Sequence, residues 1–239
     1  MSTLYMVAGP IGNLDDITLR ALKVLEAVDV VACEDTRHTG RLLTHFNLKK
    51  RCIACHSHNE EESAKGIVSL LDRGQDVAYM SDAGTPGISD PGARLVEAVR
   101  AAGHEVVPIP GASAFVTLLS AAGNVGRTYT FEGFLSPKRG RRVRRLEELV
   151  ARGESFIIYE SPFRVLRTLE DIRDVDPACR IVMGRELTKQ FEEIVSAPVD
   201  EVISSLAARD AVKGEFALVV VPSQGGTDAD AEEDRDAEA

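Results

Sequence analysis

Through the first half of the chain, short apolar runs alternate with amphipathic stretches. The runs "LYMVA" (Leu4 to Ala8), "VVAC" (Val30 to Cys33), "CIAC" (Cys52 to Cys55), "DVAYM" (Asp76 to Met80) and "EVVPI" (Glu105 to Ile109) have the length of strands. Between them apolar residues recur at helical spacing. Leu19, Leu22 and Leu25 share one face of a helix predicted from Thr18 to about Val28; Ile67, Leu70 and Leu71 mark another; Leu95, Ala98, Val99 and Ala102 mark a third. Strand–helix alternation predicts parallel βαβ units in one sheet, and strands apolar throughout fit a sheet covered on both faces.

Pro110-Gly111 interrupts this pattern, and Phe115, Leu118, Leu119 and Ala122 form one more helical stripe. After Gly123 the alternation restarts. Strands are predicted at Thr128 to Phe134, Ser155 to Tyr159, Arg180 to Leu187, Glu192 to Pro198 and Glu215 to Val221, with helices at Arg142 to Ala151, Phe163 to Val175 and Val199 to Ala208. The third and fourth of these strands follow one another without a helix, which predicts a mixed sheet. The fold class is therefore α/β in two domains, with a mostly parallel N-terminal sheet and a mixed C-terminal one. The expected boundaries are 1–112 and 113–222, followed by a tail, 223–239, without apolar periodicity and expected to be disordered.

The tail changes the reading of charge. The chain carries a net −10, but seven acids and one arginine between Thr227 and Ala239 supply −6 of it, leaving −4 for the rest. No basic excess announces a nucleic-acid partner, so such a partner needs a local patch. No apolar run has the length of a membrane span, and "MSTLYMVAGP" lacks the basic flank and long apolar core of a signal peptide, so the cytoplasm is the default compartment and no membrane partner is expected. The segment "CIACHSH" places Cys52, Cys55, His56 and His58 close in sequence. A c-type haem would need export, and zinc would need convergence of side chains that a strand sends to alternate faces, so neither haem nor metal is expected.

Breaker-rich loops follow the first five strands: "AGPIGNLDD" (Ala8 to Asp16), "EDTRHTG" (Glu34 to Gly40), "HSHNE" (His56 to Glu60), "SDAGTPGISDPG" (Ser81 to Gly92) and "PGASA" (Pro110 to Ala114). One such loop is an ordinary turn or helix start. Five at the carboxyl edge of one open sheet predict a ligand site there. Neither G-x-G-x-x-G nor G-x-x-x-x-G-K-[ST] occurs, and glycines that bring backbone close suit an adenine, a carboxylate or a sulfonium.

The segments "VAGPIGNLDDITLRAL", "ACEDTRHTGRLL", "HSHNE", "SDAGTPGISDPG", "PIPGASA", "YESPFR", "GRELTK" and "KGEFALVV" together resemble the tetrapyrrole-methylase-like superfamily of S-adenosylmethionine (SAM) methyltransferases, and within it the branch that 2'-O-methylates a cytidine in the decoding region of 16S rRNA. The likeness covers about residues 3 to 221. It implies two α/β domains of class III methyltransferase type with SAM in the cleft between them, and a homodimer. It implies SAM contacts at Pro10, Asp82, Ala83, Gly84, Thr85, Ser113 and Ala114, and from the second domain at Tyr159, Leu187, Phe216 and Ala217. Gly9, Ala112 and Phe163 depart from the residues common in that branch (threonine, proline and histidine). Some relatives carry a further C-terminal domain where this chain has its acidic tail, so its RNA contacts are expected elsewhere.

The segment "LSPKRGRRVRR" holds six cations, Lys138, Arg139, Arg141, Arg142, Arg144 and Arg145, and no acid. Cations at a helix start oppose the macrodipole, so contact with the phosphates of 16S rRNA or the small ribosomal subunit is the expected use. For proton removal and substrate alignment the polar candidates are Glu34, Asp35, Arg37, Asp82, Glu160, Glu186 and Lys189. Asp35 and Arg37 are favoured, either orienting substrate or bracing their loop. A small-molecule, tetrapyrrole-like methyltransferase is the alternative, and a nucleotide-binding regulator without catalysis a second.

Overall fold

The computed structural model describes residues 2–56 and 60–223, in two compact units that divide between Ala114 and Phe115. The acidic tail beyond Ser223, and His58 of the cysteine–histidine segment, lie outside the described residues.

In the first unit the elements run β1 (Thr3–Val7), α1 (Leu19–Ala27), β2 (Val30–Cys33), α2 (Thr36–His45), β3 (Arg51–Ala54), α3 (Glu60–Asp72), β4 (Val77–Met80), α4 (Ala93–Ala101) and β5 (Glu105–Ile109). The strands form one parallel sheet in the order β3-β2-β4-β1-β5. Successive side chains of a strand face opposite ways, and here both ways lead into core. Val30, Ala32, Val77 and Tyr79 pack with Ile67, Leu71, Leu95 and Val99 of α3 and α4. Val31, Ala78 and Met80 pack with Ala21, Leu25, Leu42 and Leu43 of α1 and α2. Burial on both faces is why these strands read as unbroken apolar runs.

Two details differ from the periodicity. Leu19 is 77% exposed, and the buried line of α1 is Ala21 and Leu25 followed by Val28. The segment from Glu34 to Gly40 is mostly helix rather than loop. Asp35 caps α2 by accepting the backbone N–H of Arg37 at 2.8 Å, and the helix buries Thr39, Leu42 and Leu43.

The second unit begins within α5 (Ala114–Ala121) and continues β6 (Tyr129–Phe134), α6 (Arg139–Val150), β7 (Ser155–Glu160), α7 (Val165–Val175), β8 (Arg180–Arg185), β9 (Glu193–Pro198), α8 (Val199–Ala207) and β10 (Phe216–Val221). Its sheet is mixed, in the order β6-β7-β10-β8-β9, with only β6 and β7 parallel. Leu146 and Leu149 of α6, Leu169 and Ile172 of α7, and Val202 and Leu206 of α8 share a core with Phe156, Ile158, Ile181, Met183, Leu218 and Val220 of the sheet. Strand β8 stops at Arg185, short of the predicted Leu187, because Glu186 takes a left-handed φ of 51° that ends the extended run. Ser223 is still tied down: its N–H and hydroxyl both donate to Asp176, at 2.8 and 2.7 Å. Among the described residues no helix is long and apolar enough to cross a membrane.

Candidate functional site

In the first unit, β1 and β4 are neighbours whose following helices, α1 and α4, pack on opposite faces of the sheet. That makes the space beyond their carboxyl ends the switch point where open α/β sheets bind ligands. The loops leaving this edge are stitched together through backbone groups. Gly9 N–H donates to the Gly84 carbonyl at 2.9 Å, and Gly84 N–H donates back to the Pro10 carbonyl at 3.3 Å. The Thr85 hydroxyl donates to the Ala112 carbonyl at 3.1 Å, joining the loop after β5. The Asp35 N–H donates to Asp82 Oδ1 at 3.0 Å, joining the loop after β2. Pro10, Asp82, Ala83, Gly84 and Thr85 thus share one edge with Ser113 and Ala114, which stand at the start of α5.

Glycine at position 84 has a physical reason. Its φ is +71°, and a Cβ there would lie 3.2 Å from Ile11 Cγ2 and 3.4 Å from the Ala112 oxygen. Only glycine adopts that backbone without strain while keeping the loops this close.

The edge is acidic. Asp35 is ion-paired to the exposed Arg37 at 2.9 Å, and the hydrogen bonds from Arg37 hold its carboxyl down at about 2. Asp35 caps α2, and Arg37 is its ion-pair partner. Glu34 and Asp90 behave oppositely. Burial, with Asp82 nearby, raises Glu34. Burial, with Glu34 and Asp82 nearby, pushes Asp90 up to about 6. Asp90 was legible only as a turn residue, because what singles it out is burial, together with Glu34 from another loop.

The sign of its pH dependence follows. A carboxyl whose folded pKa is raised contributes stability below its unfolded value, and that contribution is lost as pH rises through about 6. Asp90→Asn should therefore raise the melting temperature at pH 8, with the gain over the parent shrinking as pH falls towards 4. Melting curves across that range check it; a gain that grew on acidification would refute it.

None of the four cysteines forms a disulfide. Burial pushes Cys33 up to about 11 and Cys179 up to about 12, so both stay protonated at neutral pH, unlike the thiolate that binds metal. Among the described residues no group of three or more His, Cys, Asp or Glu side chains is arranged to hold a metal ion.

In the second unit the cofactor candidates sit together around the carboxyl end of β7. Ala217 pairs in register with Tyr159 on one side and with Gly184 on the other, and Phe216 pairs with Glu160 and Arg185. The Tyr159 hydroxyl accepts the Phe115 N–H at 3.0 Å, and its ring meets Phe131 and Phe134 edge-on. Leu187 is buried over Gly184, where a Cβ would come within 2.9 Å of it. Two polar candidates nearby are already engaged. Glu160 takes Arg164 and Thr168, each at 2.8 Å, and Glu186 takes Lys189 at 2.9 Å.

The six cations do not act as a block. Arg142 is 5% exposed and donates from Nε to Asp171 Oδ2 at 2.7 Å, so the expectation that it faces RNA phosphate needs correcting: it is a buried counterion. Arg139 pairs with Asp171 and Asp174, and Arg145 with Glu132 and Glu148. Arg144 stands 3.8 Å from Glu148. Only Lys138 and Arg141 make no ion pair among the described residues. Acids at Glu132, Asp171 and Asp174 answer most of the charge, and none of them lies inside the basic segment.

Residues 3–203 match the family Tetrapyrrole (Corrin/Porphyrin) Methylases. The chain is 49% identical over 219 residues to Ribosomal RNA small subunit methyltransferase I of Vibrio cholerae serotype O1, covering 91% of this chain and 76% of that protein. It is 44% identical over 223 residues to the protein of the same name from Neisseria meningitidis serogroup B, covering 93% and 77%. Among solved structures, uroporphyrin-III-C-methyltransferase from Thermus thermophilus superposes with a TM-score of 0.63 at 20% identity, over 92% of this chain and 94% of that one. The methyltransferase CobJ superposes with a TM-score of 0.71 at 18% identity, over 93% and 95%. These two likenesses concern the fold alone.

Proposed function

Because the chain belongs to the tetrapyrrole methylase family and, within it, to the group of ribosomal RNA small subunit methyltransferase I, we propose that it transfers a methyl group from SAM to the 2'-hydroxyl of a cytidine ribose in the decoding region of 16S rRNA. It is a SAM-dependent rRNA methyltransferase. The observation that carries this reading is the 49% identity along 219 residues to a relative with that name, against 20% for the uroporphyrin-III-C-methyltransferase that shares the fold.

The first-unit edge suits SAM in the chemistry of its groups. Pro10, Ala83 and Gly84 are small or lack a backbone donor, so a flat adenine and a sulfonium can approach the main chain. The first N–H groups of α5, at Ser113 and Ala114, have no partner within the helix and suit a carboxylate. When bound, SAM supplies a methyl group already activated by its sulfonium. The protein aligns the ribose hydroxyl and excludes water. Asp82 holds the Asp35 loop, Asp35 and Arg37 stiffen the start of α2, and Thr85 fixes the loop after β5. Tyr159, Leu187, Phe216 and Ala217 belong to the same proposal as further cofactor contacts, as do a homodimer and a cytoplasmic location.

The experiment supplies labelled SAM with small ribosomal subunits, free 16S rRNA or a tetrapyrrole precursor. Label is expected in rRNA, at a linkage that resists alkali because its 2'-hydroxyl is blocked. Light scattering of the same sample should give twice the 25.9 kDa chain mass. Label appearing only in the tetrapyrrole would replace the reading with its small-molecule alternative.

A further inference from the structure

We propose that Phe134 and Phe163, with Lys138 and Arg141, form a platform for single-stranded RNA at the carboxyl edge of β6 and β7, the rings stacking on bases and the cations meeting phosphates. The proposal rests on the rRNA reading and names where the strand is held.

Phe163 is 90% exposed and Phe134 59% exposed. Singly, an exposed phenyl ring needs no explanation. These two leave neighbouring parallel strands at the same edge, since β6 and β7 pair in parallel with Phe134 opposite Tyr159. A hydrogen bond joins the loops that carry them: Arg164, next after Phe163, donates from Nη2 to the carbonyl of Leu135, next after Phe134, at 3.3 Å. Lys138 closes that loop and Arg141 lies in the first turn of α6, both exposed.

The surrounding charges explain why the platform is rigid. Arg142, pinned by Asp171, donates from Nη1 to the carbonyls of Ser136 and Pro137, both at 3.3 Å. Arg164 is pinned by the fully buried carboxylate of Glu160, whose other oxygen accepts from Thr168. Two arginines therefore clamp residues 135–137, between the first ring and the first unanswered cation. An apolar surface held in place this way loses little entropy when something covers it.

Charge selects the occupant. Among the described residues the two cations of the basic segment without an ion pair, Lys138 and Arg141, follow Phe134 at the end of its loop and in the first turn of α6, while Glu132, Glu148, Asp171 and Asp174 answer the other four. Aromatic faces interleaved with unneutralised cations suit a nucleic-acid single strand, whose bases stack while its backbone is neutralised. A second copy of this chain, whose net charge is negative, is the other occupant of interest.

The test measures binding of a single-stranded oligoribonucleotide carrying the decoding-region sequence, together with methylation of small subunits and SAM affinity. Phe163→Ser should weaken oligoribonucleotide binding about tenfold, raise KM for the subunit with kcat kept, and leave SAM affinity and the salt slope unchanged. Phe163→Trp should restore binding. The Lys138→Ser/Arg141→Ser variant should weaken binding and flatten the salt slope by about 1.4 units, the value for two single-strand phosphate contacts. If the parent methylates rRNA but Phe163→Ser binds and methylates as well as the parent, the platform is wrong while the rRNA reading stands. If the parent neither binds nor methylates any RNA, the rRNA reading itself falls. A Phe163→Ser protein that halves in mass with RNA affinity intact would make the patch a self-association surface and overturn the proposal.

Discussion

Arg142→Ala should destabilise the second unit by about 3–5 kcal/mol, as expected when one partner of a buried ion pair is removed. Arg142 and Asp171 are both buried, and their hydrogen bond is 2.7 Å long. Truncation leaves Asp171 in the interior with only Arg139 at 2.9 Å, and frees the carbonyls of Ser136 and Pro137. Arg139 remains as a partial counterion, which places the result towards the lower end of that range. Arg144→Ala is the control. Its guanidinium is exposed and 3.8 Å from Glu148 on the next turn, so its loss should stay within about 0.5 kcal/mol. Urea unfolding reads both as shifts in midpoint at constant slope. Arg142→Met combined with Asp171→Leu should recover much of the loss, since it removes both desolvated charges. An Arg142→Ala midpoint equal to that of the parent would show that the pair is not buried in solution.

Gly84→Val should weaken SAM binding about 5- to 150-fold, the affinity equivalent of the roughly 1–3 kcal/mol that a left-handed non-glycine residue costs. At φ +71° a valine is strained from the outset, and its Cβ would press on Ile11 and on the Ala112 carbonyl. Both neighbours belong to the stitched loops, through the Gly9–Gly84 and Gly84–Pro10 hydrogen bonds and the Thr85–Ala112 bond. Gly87→Ala separates strain from crowding, because Gly87 has φ +82° with nothing within 4 Å of its would-be Cβ. That variant should lose stability but keep most of its SAM affinity. Calorimetric titration with SAM, on protein whose circular dichroism matches the parent, measures both. Undiminished affinity in a folded Gly84→Val protein would move the cofactor away from this loop.

Much of the first unit was legible because both faces of its sheet are buried. A strand covered on both sides must be apolar throughout, so the fully buried Val30 to Cys33 and Val77 to Met80 stand out in the sequence. The candidate edge was legible for a related reason: loops that bring backbones together need glycine and proline, and these residues stand out in any sequence. Helix α2 was harder to see. Its start coincides with the polar motif Glu34 to Gly40, and a capping aspartate looks the same in a loop as at a helix start until the following turns are seen to bury Leu42 and Leu43. Leu19 misled for the opposite reason, since helical spacing gives a stripe but not which edge of it meets the sheet.

The sequence by itself determined the two α/β units, the parallel and mixed sheets, and the loops at the first sheet's edge. All of these follow from periodicity and turn chemistry, which act over a few residues. Only the tertiary structure decided which charges are free. Arg139 and Arg142 meet Asp171 across 32 and 29 residues, and Arg145 meets Glu132 from the preceding strand. The carboxyl of Asp90 is raised in part by Glu34, which reaches it from another loop. An ion pair depends on distance in space and on the water excluded around it, and neither quantity is written in the order of residues along the chain.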